Sequence, residues 1–325
     1  MSRTPQEELV HFLSDIYSVE LQAIAQLDTA PGMAEDPGFS ADLRTHLVET
    51  ERQADLVRAR LEAHGGSPST VKDAIMKIGG KGFLLFAKLQ LETPGRLLAH
   101  SYSYEAMEWA GYDVLARMAD FADDAETARI AREIQDEERT MMQRLEKRFD
   151  AVEALAHADL SAEDLDKHVS KHLAEAHALK VQTLMLIGKA SDIAGHTRIA
   201  QLYAALTDDC RGQLDNLQDR VEALGAEMPV LQDAALALGA LNWGLFFQSQ
   251  KDTPAKLLAF TYALFHLEIG GQELLLRTAR RANDTVTAGI CESILAEERA
   301  MVPRIAEQFD LAVQSTFTEV GEEPG

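Results

Sequence analysis

The sequence predicts an all-α protein built from two tandem bundles of four long helices, and three observations support this fold class. The chain of 325 residues matches itself without a gap at a shift of 160 residues, as between Glu138 and Glu298, so two copies of one unit are fused. Helix-favouring residues abound, whereas aromatic residues make up only 6% of the chain. Capping signals divide each copy into four helical segments. We therefore assign residues 1–156 and 157–325 to two bundles.

Helix starts in the first copy are marked by capping residues in chain order. Thr4, followed by a proline and by Glu7, forms a capping box for the first helix. Asp36 before a proline opens the second helix, and the glycine pair at residues 65–66 ends it. Thr93 before a proline opens the third helix. Asp124 opens the fourth, which should end near residue 150.

The second copy repeats this plan, with Thr253 and Asp284 as helix starts. Pro303 has no counterpart in the first copy and predicts a kink or break about one turn upstream. The connection at residues 67–92 is far longer than a hairpin needs, and its apolar residues predict one or two short helices across the bundle. A four-helix bundle with one long crossover between helices 2 and 3 is typical of ferritin-like folds, which often hold metal between facing helices.

Composition excludes several classes of partner. A formal charge of −22 without a basic stripe argues against nucleic acid. The most apolar stretch, residues 230–247, is too polar for a membrane span, and residues 1–12 do not have the pattern of a signal peptide. Two cysteines do not make a disulfide scaffold. We expect a cytoplasmic protein that binds neither nucleic acid nor membrane.

Each of the four long helices in the first copy carries a glutamate near its middle, so these side chains share one level of the bundle. Carboxylates at one level repel one another unless they are protonated, exposed or bridged by cations. This arrangement predicts a carboxylate-rich, dinuclear iron or manganese site. The candidate ligands are Glu20, Glu49, Glu108 and Glu138, with Gln53 and Glu105 beside them and His46 as a possible helper.

Two alternatives stay open at this stage, because the same glutamates could point outwards into solvent. One is a non-catalytic structural bundle without metal, and the other is a protein that stores cations without turnover, so the sequence does not decide whether the protein is an enzyme. The second copy has Lys180 in place of Glu20, which is what a disused metal site would carry, since an ammonium neutralises nearby carboxylates. Its other equivalents of the four glutamates are Asp209, Glu268 and Glu298.

The first copy resembles the YciE/YciF family of bacterial ferritin-like proteins. The resemblance is carried by residues 15–22 (DIYSVELQ), 46–53 (HLVETERQ), 105–108 (EAME) and 137–139 (EER), together with Tyr112. It covers nearly all of the first copy and, more loosely, the second. The family's Glu-His-x-Glu motif lacks its histidine in the first copy, while the second copy has His266 but Phe265 in place of the first glutamate.

The resemblance implies a ferritin-like bundle that pairs as a dimer, a role in stress responses and a metal site. Carried over by position, the implied ligands are again Glu20, Glu49, Glu108 and Glu138, with Gln53 and Glu105. Because the family's units pair, the fused chain is expected to fold as an internal pseudo-dimer, with one metal-competent and one degenerate copy.

Overall fold

The computed structural model describes residues 4–68, 94–226 and 253–317, and within these ranges the chain is helical and contains no strand. The all-α prediction is confirmed for this part of the protein. The chain divides into two compact units, Met1–Val152 and Glu153–Gly325. No helix in the three described ranges combines the length and the apolar character needed to cross a bilayer.

The first unit contains four long helices that pack as a helical bundle. Helix α1 packs on α2 and α3, and α4 packs on the same two helices. Each long helix therefore contacts two others, and their inward faces enclose one core. The helices are α1 (Pro5–Leu27), α2 (Pro37–Ala63), α3 (Pro94–Phe121) and α4 (Ala125–Glu146), followed by the shorter α5 (Phe149–Ala156); a 3₁₀ turn (Ala30–Gly32) lies between α1 and α2.

The second unit repeats this packing with its own four long helices. Helix α6 packs on α7 and α8, and α9 packs on the same two. A short helix at the end of the described residues packs on α8. The helices are α6 (Ala162–Ile193), α7 (Thr197–Leu224), α8 (Thr253–Arg281), α9 (Thr285–Ala306) and α10 (Phe309–Phe317).

Several predicted helix boundaries are confirmed by side-chain caps. Thr4 forms the capping box with Glu7, and Asp36 accepts a hydrogen bond from the backbone of the first turn of α2. Helix α2 ends at Ala63, and Gly65 follows with a φ of 77°, a left-handed conformation that glycine adopts without strain. The predicted short helices at residues 67–92 and the apolar stretch at residues 230–247 lie almost wholly outside the described residues.

The predicted break before Pro303 is not found, because α9 runs unbroken from Thr285 to Ala306. Proline removes the donor that would bond to the carbonyl of residue 299, but the helix continues through this one missing bond, and a hydrogen bond from the Glu307 N–H to the Pro303 carbonyl closes its last turn. Helix α9 therefore ends at the position equivalent to the end of α4 at Glu146.

An arginine clamp on a helix cap recurs in both units. In the first unit Arg60 of α2 binds the cap residue Asp124 at 3.0 Å and donates to Thr127 at 2.8 Å. The bonds lower the pKa of Asp124, although its partial burial acts in the opposite direction. Equivalent residues repeat the contacts in the second unit. These are Arg220, Asp284 and Thr287.

We predict that Asp124→Ala destabilises the first unit by roughly 2 kcal/mol, because it removes both an N-cap and the partner of a half-buried arginine. Hydrogen exchange of peptides from α4 at constant pH measures the loss. Asp136→Ala is the matched control, since Asp136 pairs with Arg139 at an exposed position and should cost less than about 0.5 kcal/mol. Equal losses in the two variants would contradict the clamp.

Candidate metal centre

Most of the glutamates predicted to be ligands point into the core of the first unit. Glu20 on α1 and Glu138 on α4 are fully buried, and Glu108 on α3 is only 3% exposed. The two less secure candidates are also buried, Glu105 at 3% and Gln53 at 1%. Carboxylates are seldom buried without a partner, so this arrangement needs an explanation beyond helix formation.

Four of the buried side chains meet at one place. His46, Glu105, Glu108 and Glu138 each offer one ligand atom, and these atoms all lie within 4.8 Å of one another. We call this set the acidic cluster. It draws one residue from α2, two from α3 and one from α4, and Glu20 of α1 faces it from the remaining helix. No other group of this kind occurs in the described residues.

The imidazole of His46 is fully buried and lies between the carboxylates of the acidic cluster and Glu49. Its Nε2 atom lies 2.7 Å from Glu105 Oε2 and 3.4 Å from Glu138 Oε2. Its Nδ1 atom lies 3.1 Å from Glu49 Oε2. A histidine that ligates metal usually donates its other ring N–H to a carboxylate, so Glu49 holds His46 as such a ligand would be held.

Glu49, one of the four glutamates predicted from their common level, lies outside the acidic cluster. Its side chain is 28% exposed and pairs with Arg144 at 3.3 Å as well as with His46. The hydrogen bond from His46 lowers the pKa of Glu49, and Arg144 adds to the effect. The structure thus places Glu49 behind the histidine, whereas the sequence had placed it beside the other carboxylates.

Several buried polar atoms of the cluster have no hydrogen-bond partner. Such atoms cost roughly 1–3 kcal/mol each, and more when charged, so native cores contain few of them. Here they belong to one site and come from all four long helices. Glu20 Oε2 and Glu108 Oε1 have no partner in the described residues, whereas His46 Nε2, Glu105 Oε2 and Glu138 Oε2 have only the ion-pair contacts that they make with one another.

The remaining oxygens of the cluster are anchored by neutral donors. Tyr112 donates a short hydrogen bond to Glu20 Oε1, which agrees with the prediction that this tyrosine bonds a glutamate. Gln53 Nε2 donates to Glu138 Oε1 at 2.6 Å and to Glu137 Oε2 at 3.0 Å. Gln53 therefore positions Glu138 here, rather than contributing a charge of its own.

Burial opposes ionisation of the carboxyl groups throughout the cluster. It raises the pKa of Glu20 and of Glu108 well above the usual value, and the neighbouring carboxylates add to the shift. It raises the pKa of Glu105 to about 7, although His46 acts in the opposite direction. Burial by itself would lower the pKa of His46, but the charges of Glu105 and Glu138 outweigh it and raise that pKa well above its usual value.

The second unit fills the equivalent space in a different way. Lys180 is fully buried and its Nζ donates to Gln213 at 2.7 Å, Glu268 at 2.9 Å and Glu298 at 2.7 Å. These are the equivalents of Gln53, Glu108 and Glu138. Apolar side chains replace the other two members of the cluster, because Leu206 stands at the position of His46 and Phe265 at that of Glu105, and both are buried.

Other polar residues considered from the sequence do not build a second site in the described part of the chain. The rings of His168 and His172 lie edge to face at 6.2 Å, with no third ligand grouped around them. Cys210 and Cys291 are fully buried, and burial raises the pKa of each thiol to about 12, so neither is an activated nucleophile.

His46 is the residue that sequence reasoning undervalued, since it was named only as a helper. The available signal was its spacing of seven residues from Gln53, which places both side chains on one face of α2.

Comparison with known proteins identifies a family but no activity. A sequence model of the family described as "Domain of unknown function (DUF892)" matches the chain twice, over residues 4–158 and 164–316. No curated protein and no solved structure matches the chain. The two matches account for nearly the whole sequence and agree with the internal repeat.

We predict that, without metal, the stability of Glu105→Gln relative to wild type rises between pH 5 and pH 8. A carboxyl whose pKa rises on folding keeps its full contribution to stability below the unfolded pKa, near 4.5, and loses it as pH rises towards the folded pKa of about 7. The difference should be at most on the order of 3 kcal/mol.

Hydrogen exchange of peptides from α3 and α4 in a chelator measures this difference, because wild type and variant are compared at the same pH. Glu126→Gln, an exposed change at the start of α4, serves as the control and should show no such divergence. A difference between variant and wild type that stays the same from pH 5 to pH 8 would contradict the prediction.

Proposed function

The chain belongs to the family described as a domain of unknown function (DUF892), carried here in two copies, and from its site we propose that the first unit is a ferritin-like bundle that binds metal ions. The proposal rests on one observation: three buried carboxylates and one imidazole converge in the acidic cluster, and oxygens of Glu20 and Glu108 have no partner in the described residues. A cation bound among them would satisfy these atoms together and would also offset the repulsion between the carboxylates.

The donor set favours iron or manganese. Carboxylate oxygens with a single imidazole nitrogen suit hard or borderline ions, whereas the described part of the first unit offers no thiolate for a soft ion. His46, Glu105, Glu108 and Glu138 would hold the metal, and Glu20 is the fifth buried candidate. When bound, iron or manganese would supply Lewis acidity and redox chemistry with oxygen or peroxide.

The protein's own residues prepare the site in two ways. Glu49, held by Arg144, accepts from Nδ1 of His46, so the lone pair of Nε2 faces the cluster once the ring is neutral. Tyr112 and Gln53 hold one oxygen each of Glu20 and Glu138, which leaves the second oxygen of each directed to the cluster. Protons occupy Glu20 and Glu108 when no cation is bound, because burial raises the pKa of each carboxyl well above its usual value.

The resemblance to the YciE/YciF family supplies the finer part of the proposal. It supports a stress-associated role and a dimer-like pairing of the two copies, neither of which follows from the site itself. The six ligand candidates taken from the sequence are divided by the geometry into three groups. Glu105, Glu108 and Glu138 are proposed ligands, Glu20 is a proposed ligand at the edge of the cluster, and Gln53 and Glu49 are proposed to position Glu138 and His46.

The rival proposal is a non-catalytic helical protein that binds no metal. The second unit favours it by example, because Lys180 satisfies the same level of the bundle with hydrogen bonds and ion pairs alone. Among the described residues of the first unit, no lysine or arginine contacts the cluster; His46 is the cation within it.

We predict that elemental analysis of the protein, purified without added metal, finds iron or manganese in wild type and little in Glu138→Gln. The glutamine keeps the size and shape of the Glu138 side chain but removes the negative charge that this side chain brings to the cluster. Glu298→Gln, at the equivalent position of the second unit, is the matched control and should retain the metal. Absence of metal from all three folded proteins, or equal content in all three, would support the rival proposal.

We predict that binding of Mn²⁺ releases protons and tightens as pH rises from 5 to 8. His46 and the carboxyls of Glu20, Glu105 and Glu108 have raised pKa values, and they must lose their protons before they can bind a cation. Calorimetric titration in two buffers of different ionisation enthalpy counts the protons released. Affinity that does not change over this range would show that Mn²⁺ binds elsewhere.

A further inference from the structure

The three donors of the Lys180 ammonium are all used within the second unit. They go to Gln213, Glu268 and Glu298, at distances between 2.7 and 2.9 Å. Thr183 adds a hydrogen bond of 2.7 Å to the other oxygen of Glu268. This lysine therefore acts as a fixed cation with three oxygen neighbours in a fully buried place.

The same three neighbours exist in the first unit, where the lysine does not. Gln53, Glu108 and Glu138 stand at the equivalent positions, and Glu20 replaces the lysine itself. Glu20 and Glu108 each have a buried oxygen without a partner in the described residues, and the second oxygen of Glu138 has only His46, at 3.4 Å. The exchange also conserves charge, because three carboxylates with one divalent cation carry the same net charge as two carboxylates with one ammonium.

We infer that the Lys180 ammonium occupies the position of a cation that the first unit takes from solution, between Glu20, Glu108 and Glu138. This inference deepens the proposed function and rests on it. It assigns an all-oxygen cation position to one side of the acidic cluster and separates it from the side that His46 and Glu105 form. The second unit carries its own cation, so metal stabilises only the first.

The replacements around Lys180 support this division of the cluster. Leu206 and Phe265 occupy the places of His46 and Glu105 with apolar side chains, so the side of the cluster that contains the histidine has no polar counterpart in the second unit. The all-oxygen side keeps both carboxylates and the amide. A single change at Lys180 should therefore restore one cation position and no more.

The test compares Lys180→Glu with Lys180→Met in the full chain, both in a Glu138→Gln background that removes binding by the first unit. Both changes should lower the stability of the second unit in a chelator, because a buried ion pair loses its cation. Mn²⁺ should bind to the glutamate variant at about one ion per chain and restore its stability, since Mn²⁺ prefers oxygen ligands. It should do neither for the methionine variant.

Stability is measured by hydrogen exchange of peptides from α6 to α9, and bound Mn²⁺ by elemental analysis after desalting. A folded Lys180→Glu protein that binds no Mn²⁺ would overturn the inference. An equal gain in stability of the two variants on addition of Mn²⁺ would also overturn it. If wild type binds metal through Glu138 while Lys180→Glu binds none, the inference fails and the proposed function stands.

The reverse change keeps the inference testable if Lys180→Glu does not fold. Glu20→Lys should place an ammonium among Gln53, Glu108 and Glu138 and so raise the stability of the first unit in a chelator. Mn²⁺ should then give no further stabilisation at the all-oxygen position. Glu8→Lys, a change at another buried glutamate of α1, is the control for a general effect of charge. A Glu20→Lys protein that is no more stable than wild type in a chelator would overturn the inference, whether or not wild type binds metal.

Discussion

Buried negative charge at the middle of a helical bundle is the constraint on which the rest of this structure depends. Carboxylates taken out of water repel each other and lose their hydration, so each must be protonated, bonded to a donor or paired with a cation. Both units place glutamates at this level. The second unit meets the constraint with Lys180, and the first meets it with protons and His46.

Much of the fold could be predicted from the sequence because its determinants are local. Capping residues such as Asp36 and Asp124 mark the helix starts by bonding to the backbone three residues ahead, which depends little on tertiary structure. The repeat then carried the assignment from the first copy to the second. The effect of Pro303 was overestimated, since the loss of one backbone donor does not interrupt the helix.

The site was harder to predict because position along a helix does not fix the direction of a side chain. Glu49 is at the correct height, but at about 100° per residue it is turned by about 60° from the face that His46 shares with Gln53. That rotation moves its carboxylate to the edge of the unit, where Arg144 binds it. Counting residues from the caps gave the level of the cluster, and only the helical angle distinguishes a ligand from the residue behind it.

The outer contacts of the two units show which features belong to the scaffold and which belong to the site. The pair of Glu49 with Arg144 persists as Asp209 with Arg304, although no histidine stands beside Asp209. This ion pair therefore does not depend on the acidic cluster. In the first unit its carboxylate has the additional role of holding His46. The inner residues differ more. Lys180 stands in place of Glu20, and apolar side chains stand in place of His46 and Glu105. The means of charge compensation therefore differs between the two copies, with an ammonium in one and with protons and an imidazole in the other, while the helices that carry it stay the same.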